Sequence, residues 1–139
     1  MIDEFKAFNI RARAVLIDYK YKFPDGVCKP KWIILLSDNL PEENIIFTLT
    51  TSQVGTYTGS FKDYLIVKKT DDECFDKDCI IEIERTDIID ANLILKKCKS
   101  NDIIHKGFIS EKLFRQILEK IAECYSINNI IKDKLKVYD

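Results

Sequence analysis

Short apolar runs recur along the first two thirds of the chain and are separated by turn residues, a pattern typical of β-strands. We predict strands at residues 10–21, 32–36, 45–51, 64–68 and 79–84. The second and third of these are expected to form a hairpin. In the fifth, Ile81 and Ile83 alternate with Glu82 and Glu84, which predicts a half-exposed strand.

Three intervening segments are less regular. Residues 53–62 contain Gly55, Gly59 and several hydroxyl side chains, which predicts a loop. Residues 86–95 fit either one more strand or an irregular crossing segment. Residues 103–104 fit a further short strand.

The clearest helix signal follows Ser110, a residue type that commonly caps a helix N-terminus. Glu111 lies in the expected first turn, where the helix dipole favours a negative charge. Apolar residues then recur at three- and four-residue steps as far as Tyr125, so one face of this helix is expected to pack on the sheet. A second, shorter helix or frayed tail is predicted at residues 130–137.

Many short strands, turns marked by Gly and Pro, and a late amphipathic helix indicate a mainly β protein with a C-terminal helix. The strands are expected to form a small barrel or a strongly bent sheet, because barrel closure removes exposed strand edges. A length of 139 residues is the usual size of one domain. We therefore predict a single domain at residues 1–139, with the barrel at about 10–108 and the helical part at about 110–137.

The charge balance limits the binding partners of the chain. Lys and Arg number 22 against 23 Asp and Glu, so any nucleic-acid binding must be local. The N-terminus is acidic and lacks the basic start and long apolar core of a signal peptide, which predicts a cytoplasmic protein. The longest purely apolar run, residues 32–36, is far too short to span a bilayer, so no membrane partner is expected.

The five cysteines are irregularly spaced, which predicts reduced thiols rather than a disulfide framework. A zinc site would require Cys74 and Cys79 to meet Cys98 or His105 across the fold. We expect small buried or surface thiols instead. No metal ion and no other cofactor is predicted.

The stretch at residues 21–52 carries the candidate chemistry. Lys29 and Lys31 precede an apolar run, in what we predict to be a basic loop, and residues 50–52 are Thr-Thr-Ser. Positive charge beside hydroxyl donors suits an anionic ligand such as a phosphate.

The motifs in and after this stretch follow a particular order. Residues 23–26 are Phe-Pro-Asp-Gly, 29–31 Lys-Pro-Lys, 32–37 Trp-Ile-Ile-Leu-Leu-Ser, 49–52 Leu-Thr-Thr-Ser and 75–81 Phe-Asp-Lys-Asp-Cys-Ile-Ile. This series resembles the MazF/PemK family of toxin endoribonucleases over roughly residues 10–125. Where that family often has Arg-Pro, this chain has Lys31-Trp32 or Lys29-Pro30. Lysine keeps the charge without the planar fork that grips a phosphate by two parallel bonds.

The resemblance implies an SH3-like small barrel and metal-independent cleavage of single-stranded RNA. In that reaction the 2′-hydroxyl attacks the phosphorus and leaves a cyclic phosphate. It also implies a type II toxin that is held in check by an antitoxin protein, and a homodimer. The residues it implies are Lys31, Thr51 and Ser52 for catalysis, and Lys29, Asp25 and Trp32 for RNA binding.

Structural interpretations of the same residues remain open. Asp25 suits a turn, and Trp32 at the head of an apolar strand suits the core. His105 could act as an acid or base but lies far along the chain. The second hypothesis is a non-catalytic binding module of the same fold, whose groove holds a peptide or partner protein. The third is a DNA-targeting toxin of related fold.

Overall fold

The computed structural model describes residues 3–52, 55 and 63–137. Within these residues the chain forms six strands and four helices. In chain order they are α1 (Glu4–Ala7), β1 (Ala14–Lys22), β2 (Cys28–Leu35), β3 (Asn44–Thr51), β4 (Leu65–Val67), β5 (Cys79–Asp90), α2 (Ala91–Lys99), β6 (Ile103–Phe108), α3 (Glu111–Glu123) and α4 (Asn129–Leu135).

The six strands form one curled antiparallel sheet in the order β4-β5-β3-β2-β1-β6, which resembles half a barrel. The predicted class, mainly β with a C-terminal helix, is therefore confirmed. The predicted hairpin is also confirmed, because β2 pairs with β3 through Ile33 opposite Leu49 and Leu35 opposite Phe47. Among the described residues, β4 and β6 form the two edges of the sheet.

Side chains alternate between the two faces of the sheet, and each face is covered by helices. Helix α3 packs on β5 and on α4, over a core cluster on one face. The sheet residues of this first cluster include Val15, Ile34, Ile46, Ile81 and Ile83, and its helix residues include Leu113, Ile117, Ile121 and Ile131.

The opposite face carries a second core cluster beneath α2, which contacts β3, β5 and β6. Its sheet residues include Leu16, Ile33, Leu35, Ile45, Phe47 and Leu49, and α2 adds Ala91, Ile94 and Cys98. Because both faces are covered, the central strands are buried on both sides rather than on one.

A bulge in β5 interrupts its pairing with β3. Phe47 lies opposite Asp87 and Leu49 lies opposite Glu82, so residues 83–86 oppose Thr48 alone. The Thr48 hydroxyl donates to the Glu82 carbonyl oxygen at 3.0 Å. The bulge begins directly after Glu82 and includes Arg85.

Several local predictions require correction. Lys29 and Lys31 lie within β2, not in a loop, because the strand begins at Cys28 and pairs there with β1. The strand at residues 79–84 is not half-exposed, because Glu82 is buried as well as Ile81 and Ile83. Residues 86–95 are neither one strand nor an irregular crossing, since β5 continues to Asp90 and α2 begins at Ala91.

The C-terminal predictions agree more closely with the structure. Strand β6 is present where a short strand was one interpretation, α3 where the clearest helix was predicted, and α4 where a shorter helix or frayed tail was predicted. The Ser110 hydroxyl accepts a hydrogen bond from the Leu113 backbone N–H at 3.1 Å, as expected for a helix N-cap. The predicted loop at residues 53–62 lies, except for Gly55, outside the described residues. None of the described helices has the length and apolar character needed to cross a membrane.

Candidate functional site

A groove of about 560 Å³ lies where the start of β2, the end of β3 and the segment that precedes β5 meet. We call it the hydroxyl groove. Its lining combines three lysines, three hydroxyl residues and three aromatic rings. These are Lys29, Lys31 and Lys77; Thr50, Thr51 and Ser52; and Phe23, Trp32 and Phe75, with Pro30, Asp76 and Cys79 completing the wall.

The antiparallel pairing explains how residues distant in sequence meet in this groove. Ile33 of β2 lies opposite Leu49 of β3, so the lysines that precede Ile33 lie beside the hydroxyls that follow Leu49. The structure thus brings Lys29, Lys31, Trp32, Thr51 and Ser52 to one groove, and their binding of an anion or of RNA stays a prediction.

Asp25 does not line this groove. It is exposed, and its Oδ1 accepts a hydrogen bond from the Val27 backbone N–H at 2.9 Å. The turn is closed by a hydrogen bond from the Gly26 N–H to the Phe23 carbonyl oxygen at 2.8 Å, and Gly26 has a φ of +86°. The structure therefore gives Asp25 the turn role, and its contact with RNA stays a prediction.

The charge of Lys31 is paired across the sheet. Its Nζ donates to Oε1 of Glu82 at 2.7 Å, and the two side chains are only 13% and 9% exposed. Nε of Arg85 lies 3.6 Å from the other carboxylate oxygen of Glu82. The site thus contains a largely buried Lys31–Glu82 pair, with the more exposed Arg85 beside the second carboxylate oxygen.

Glu82 and Arg85 were not predicted as site residues. The alternation of apolar and charged residues along β5 suggested that Glu82 faces solvent. The local pattern could not reveal its partner, Lys31, which lies 51 residues earlier in the chain. The one local signal was a carboxylate within an otherwise apolar strand start, Cys-Ile-Ile-Glu-Ile.

Trp32 is half-buried and belongs both to the groove and to the edge of the first core cluster. Its ring stacks on Phe75 with a centroid distance of 6.0 Å and an interplanar angle of 28°. Nζ of Lys106 lies 5.8 Å from the Trp32 ring centroid and 3.3 Å from an Asp76 carboxylate oxygen. Trp32 is therefore held in place on the groove wall.

A second cleft, of about 430 Å³, lies beside the hydroxyl groove. We call it the tyrosine cleft. It is lined by Tyr21, Lys22, Phe23, Pro24, Lys31, Leu49, Glu82 and Arg85. Phe23 and Lys31 line both spaces. Burial raises the pKa of the Tyr21 phenol, and the nearby Arg85 charge opposes that rise.

His105 lies on β6 and lines neither of these two spaces. Its ring packs against Phe108 at a centroid distance of 4.7 Å. Burial lowers the pKa of the imidazole, and a hydrogen bond with the Gly107 backbone partly offsets this lowering. His105 therefore belongs to an edge strand of the sheet rather than to the groove.

The cysteines are free thiols; Cys28 is exposed and the other four are buried. Burial raises the pKa of Cys74 and of Cys98 to about 11 and that of Cys79 to about 12. Within the part of the chain that the structure describes, no group of three or more His, Cys, Asp or Glu side chains could hold a metal ion.

Comparison of the sequence with models of known protein families and with curated proteins finds no match. Function must therefore be argued from the groove itself.

Proposed function

We propose that this chain is a metal-independent endoribonuclease that cleaves single-stranded RNA, the toxin component of a type II toxin–antitoxin system. The proposal includes an SH3-like barrel of the MazF/PemK kind, a homodimer, a cytoplasmic site of action and inhibition by an antitoxin protein. The observation that carries it is the hydroxyl groove, in which cationic, hydroxyl and aromatic side chains meet. These are the groups that recognise phosphates and unpaired bases.

Phosphate binding is assigned to Lys29, Lys31, Thr51 and Ser52. Lys29 is exposed and takes part in no ion pair between described residues, so its charge is available to a ligand. The hydroxyls at the end of β3 can donate hydrogen bonds to the phosphoryl oxygens. Negative charge grows on these oxygens as the 2′-hydroxyl attacks, so donors fixed in advance stabilise the transition state.

Proton transfer is assigned to the Lys31–Glu82 pair. The Glu82 carboxylate can accept the proton of the attacking 2′-hydroxyl, and the Lys31 ammonium can donate a proton to the departing 5′-oxygen. The attacking and departing oxygens lie on opposite sides of the phosphorus, so this assignment requires the 2.7 Å contact between the two groups to open when RNA binds. Asp25 is not needed for this chemistry.

The test is incubation of the purified protein with a long unstructured RNA in excess chelator. We expect cleavage by the wild type, and a loss of about 100-fold in rate for Lys31→Ala. Thr51→Ala should lose about 10- to 100-fold. Lys31→Ala removes one partner of a buried pair and could fail to fold. Lys29→Ala changes an exposed groove lysine instead, and it should also slow cleavage if the groove binds phosphate. The matched control is Lys112→Ala, on the exposed surface of α3.

Cleavage that is unchanged in both Lys31→Ala and Thr51→Ala would remove these residues from the mechanism. Absence of cleavage by the wild type under every condition would refute the nuclease assignment.

A second candidate is the non-catalytic binding module. The observation that favours it is the pairing of Lys31 with Glu82, which neutralises one of the groove cations, beside three aromatic rings that suit a peptide. Under this alternative, a peptide or protein would protect the Trp32 fluorescence from an aqueous quencher, and RNA would be neither bound nor cleaved.

A further inference from the structure

The tyrosine cleft opens directly beside the proposed phosphate position. Lys31 and Phe23 line both the cleft and the hydroxyl groove. If a phosphate of an RNA strand lies at Lys31, the base of an adjacent nucleotide therefore lies beside the cleft. Its volume of about 430 Å³ falls within the range of about 300–1,000 Å³ that small-molecule sites span.

The walls of the cleft suit a flat, aromatic ligand. Tyr21 and Phe23 pack edge to face, with a centroid distance of 5.1 Å and an interplanar angle of 73°. The Arg85 side chain, which is 55% exposed and whose Nε lies 3.6 Å from a Glu82 carboxylate oxygen, lines the same cleft. Aromatic rings and guanidinium planes are the surfaces on which unpaired bases stack.

The charged floor of the cleft is not explained by stability alone. Glu82 and Lys31 are desolvated, and a buried ion pair is often no more stabilising than well-packed apolar residues of similar volume. Glu82 accepts one hydrogen bond from Lys31, and a carboxylate has acceptor sites for more. The floor therefore offers polar groups to a ligand between aromatic and guanidinium walls.

From this geometry we propose that the tyrosine cleft seats one nucleobase of the RNA whose phosphate lies at Lys31. The base stacks between the aromatic pair and the planar Arg85 guanidinium. This inference rests on the proposed function and deepens it. The substrate must present an unpaired base at this position, because a base inside a duplex has both faces covered by its neighbours.

The first test uses Tyr21 and Arg85, which line the tyrosine cleft but not the hydroxyl groove. Tyr21→Leu removes the ring, and Tyr21→Phe keeps it. Arg85→Lys keeps the charge and removes the plane. We expect Tyr21→Leu and Arg85→Lys each to raise KM by about 5- to 100-fold, and Tyr21→Phe, which keeps the ring, to hold KM close to the wild-type value.

The second test needs no catalysis. A series of 2′-O-methyl oligonucleotides, which lack the attacking hydroxyl, carries a single abasic site at successive positions. We expect one position at which loss of the base weakens wild-type binding by about 5- to 100-fold. Tyr21→Leu should weaken binding of the intact oligonucleotide and leave binding of that abasic oligonucleotide unchanged.

The outcomes separate the two proposals. If the wild type cleaves RNA but every abasic position is equivalent, or if Tyr21→Leu weakens intact and abasic ligands equally, the base site is overturned and the nuclease proposal stands. If the wild type neither binds the oligonucleotides nor cleaves RNA, the proposed function fails and this inference falls with it. Far-UV circular dichroism of each variant confirms that it is folded.

Discussion

Removing one partner of the Lys31–Glu82 pair should destabilise the fold strongly. The Lys31 side chain is 13% exposed and the Glu82 side chain 9%, so neither charge can be fully hydrated in place once its partner is gone. Breaking a buried pair in this way typically costs about 3–5 kcal/mol. For Lys31→Met we expect a loss of unfolding free energy near the lower end of this range, about 3 kcal/mol. Arg85 remains 3.6 Å from the other Glu82 oxygen and partly compensates the carboxylate charge.

The double variant gives the sharper expectation. Lys31→Met with Glu82→Leu removes both charges together and leaves apolar side chains in contact. Its free energy of unfolding should lie within about 1 kcal/mol of the wild type, because the desolvation cost of the two charges disappears with their attraction. The two single changes should therefore be strongly non-additive.

Urea unfolding followed by far-UV circular dichroism measures these free energies, provided that the m-values agree among variants. The matched control is Lys20→Met, which breaks the 3.3 Å pair with Asp102 in which Lys20 is 70% exposed. That change should cost less than about 1 kcal/mol. If Lys31→Met costs no more than Lys20→Met, or if the double variant loses the sum of the single losses, the buried-pair argument is wrong.

Three further predictions follow from local geometry. Ser110→Ala removes the cap on the Leu113 N–H and should lower the unfolding free energy by about 1 kcal/mol in the same urea assay, with Ser110→Asn restoring most of it. Native protein at pH 8 should react with a thiol reagent rapidly at Cys28 only, because the other four thiols are buried and those with raised pKa remain protonated; rapid labelling of more than one thiol would contradict this. Between pH 8 and pH 10 the stability should fall, because the folded state retains protons on thiols such as Cys79, with its pKa of about 12, that the unfolded chain releases above about pH 8.5. Cys79→Ala should lose less stability over that interval than the wild type.

The elements that depend on local pattern were predictable from the sequence. Helix α3 combines a good N-cap at Ser110 with a clear apolar face, and β3 is a compact β-branched run. Helix α2 was missed because only Ala91, Ile94 and Cys98 are buried in it, so its apolar stripe is thin. Its start signal was the cap at Asp90, whose side chain accepts from the Asn92 N–H at 2.9 Å.

The site was predictable only where it depends on neighbouring strands of one hairpin. The lysines in the first half of β2 and the hydroxyls at the end of β3 meet because antiparallel pairing brings those ends together. The carboxylate partner of Lys31, Glu82, comes from β5, which follows β4 in the chain, and no local sequence pattern reveals that contact. Arg85, likewise on β5, places a guanidinium in the neighbouring tyrosine cleft.

The product ends of the RNA reaction test the central claim most directly. Purified protein is incubated with a single-stranded RNA in excess chelator, and the fragments are analysed by mass spectrometry. We predict a 2′,3′-cyclic phosphate on one fragment and a 5′-hydroxyl on the other, and no cleavage when the 2′-hydroxyl at the cleaved position is replaced by hydrogen. Fragments with 5′-phosphates, cleavage that survives the 2′-deoxy substitution, or intact RNA throughout would contradict the account.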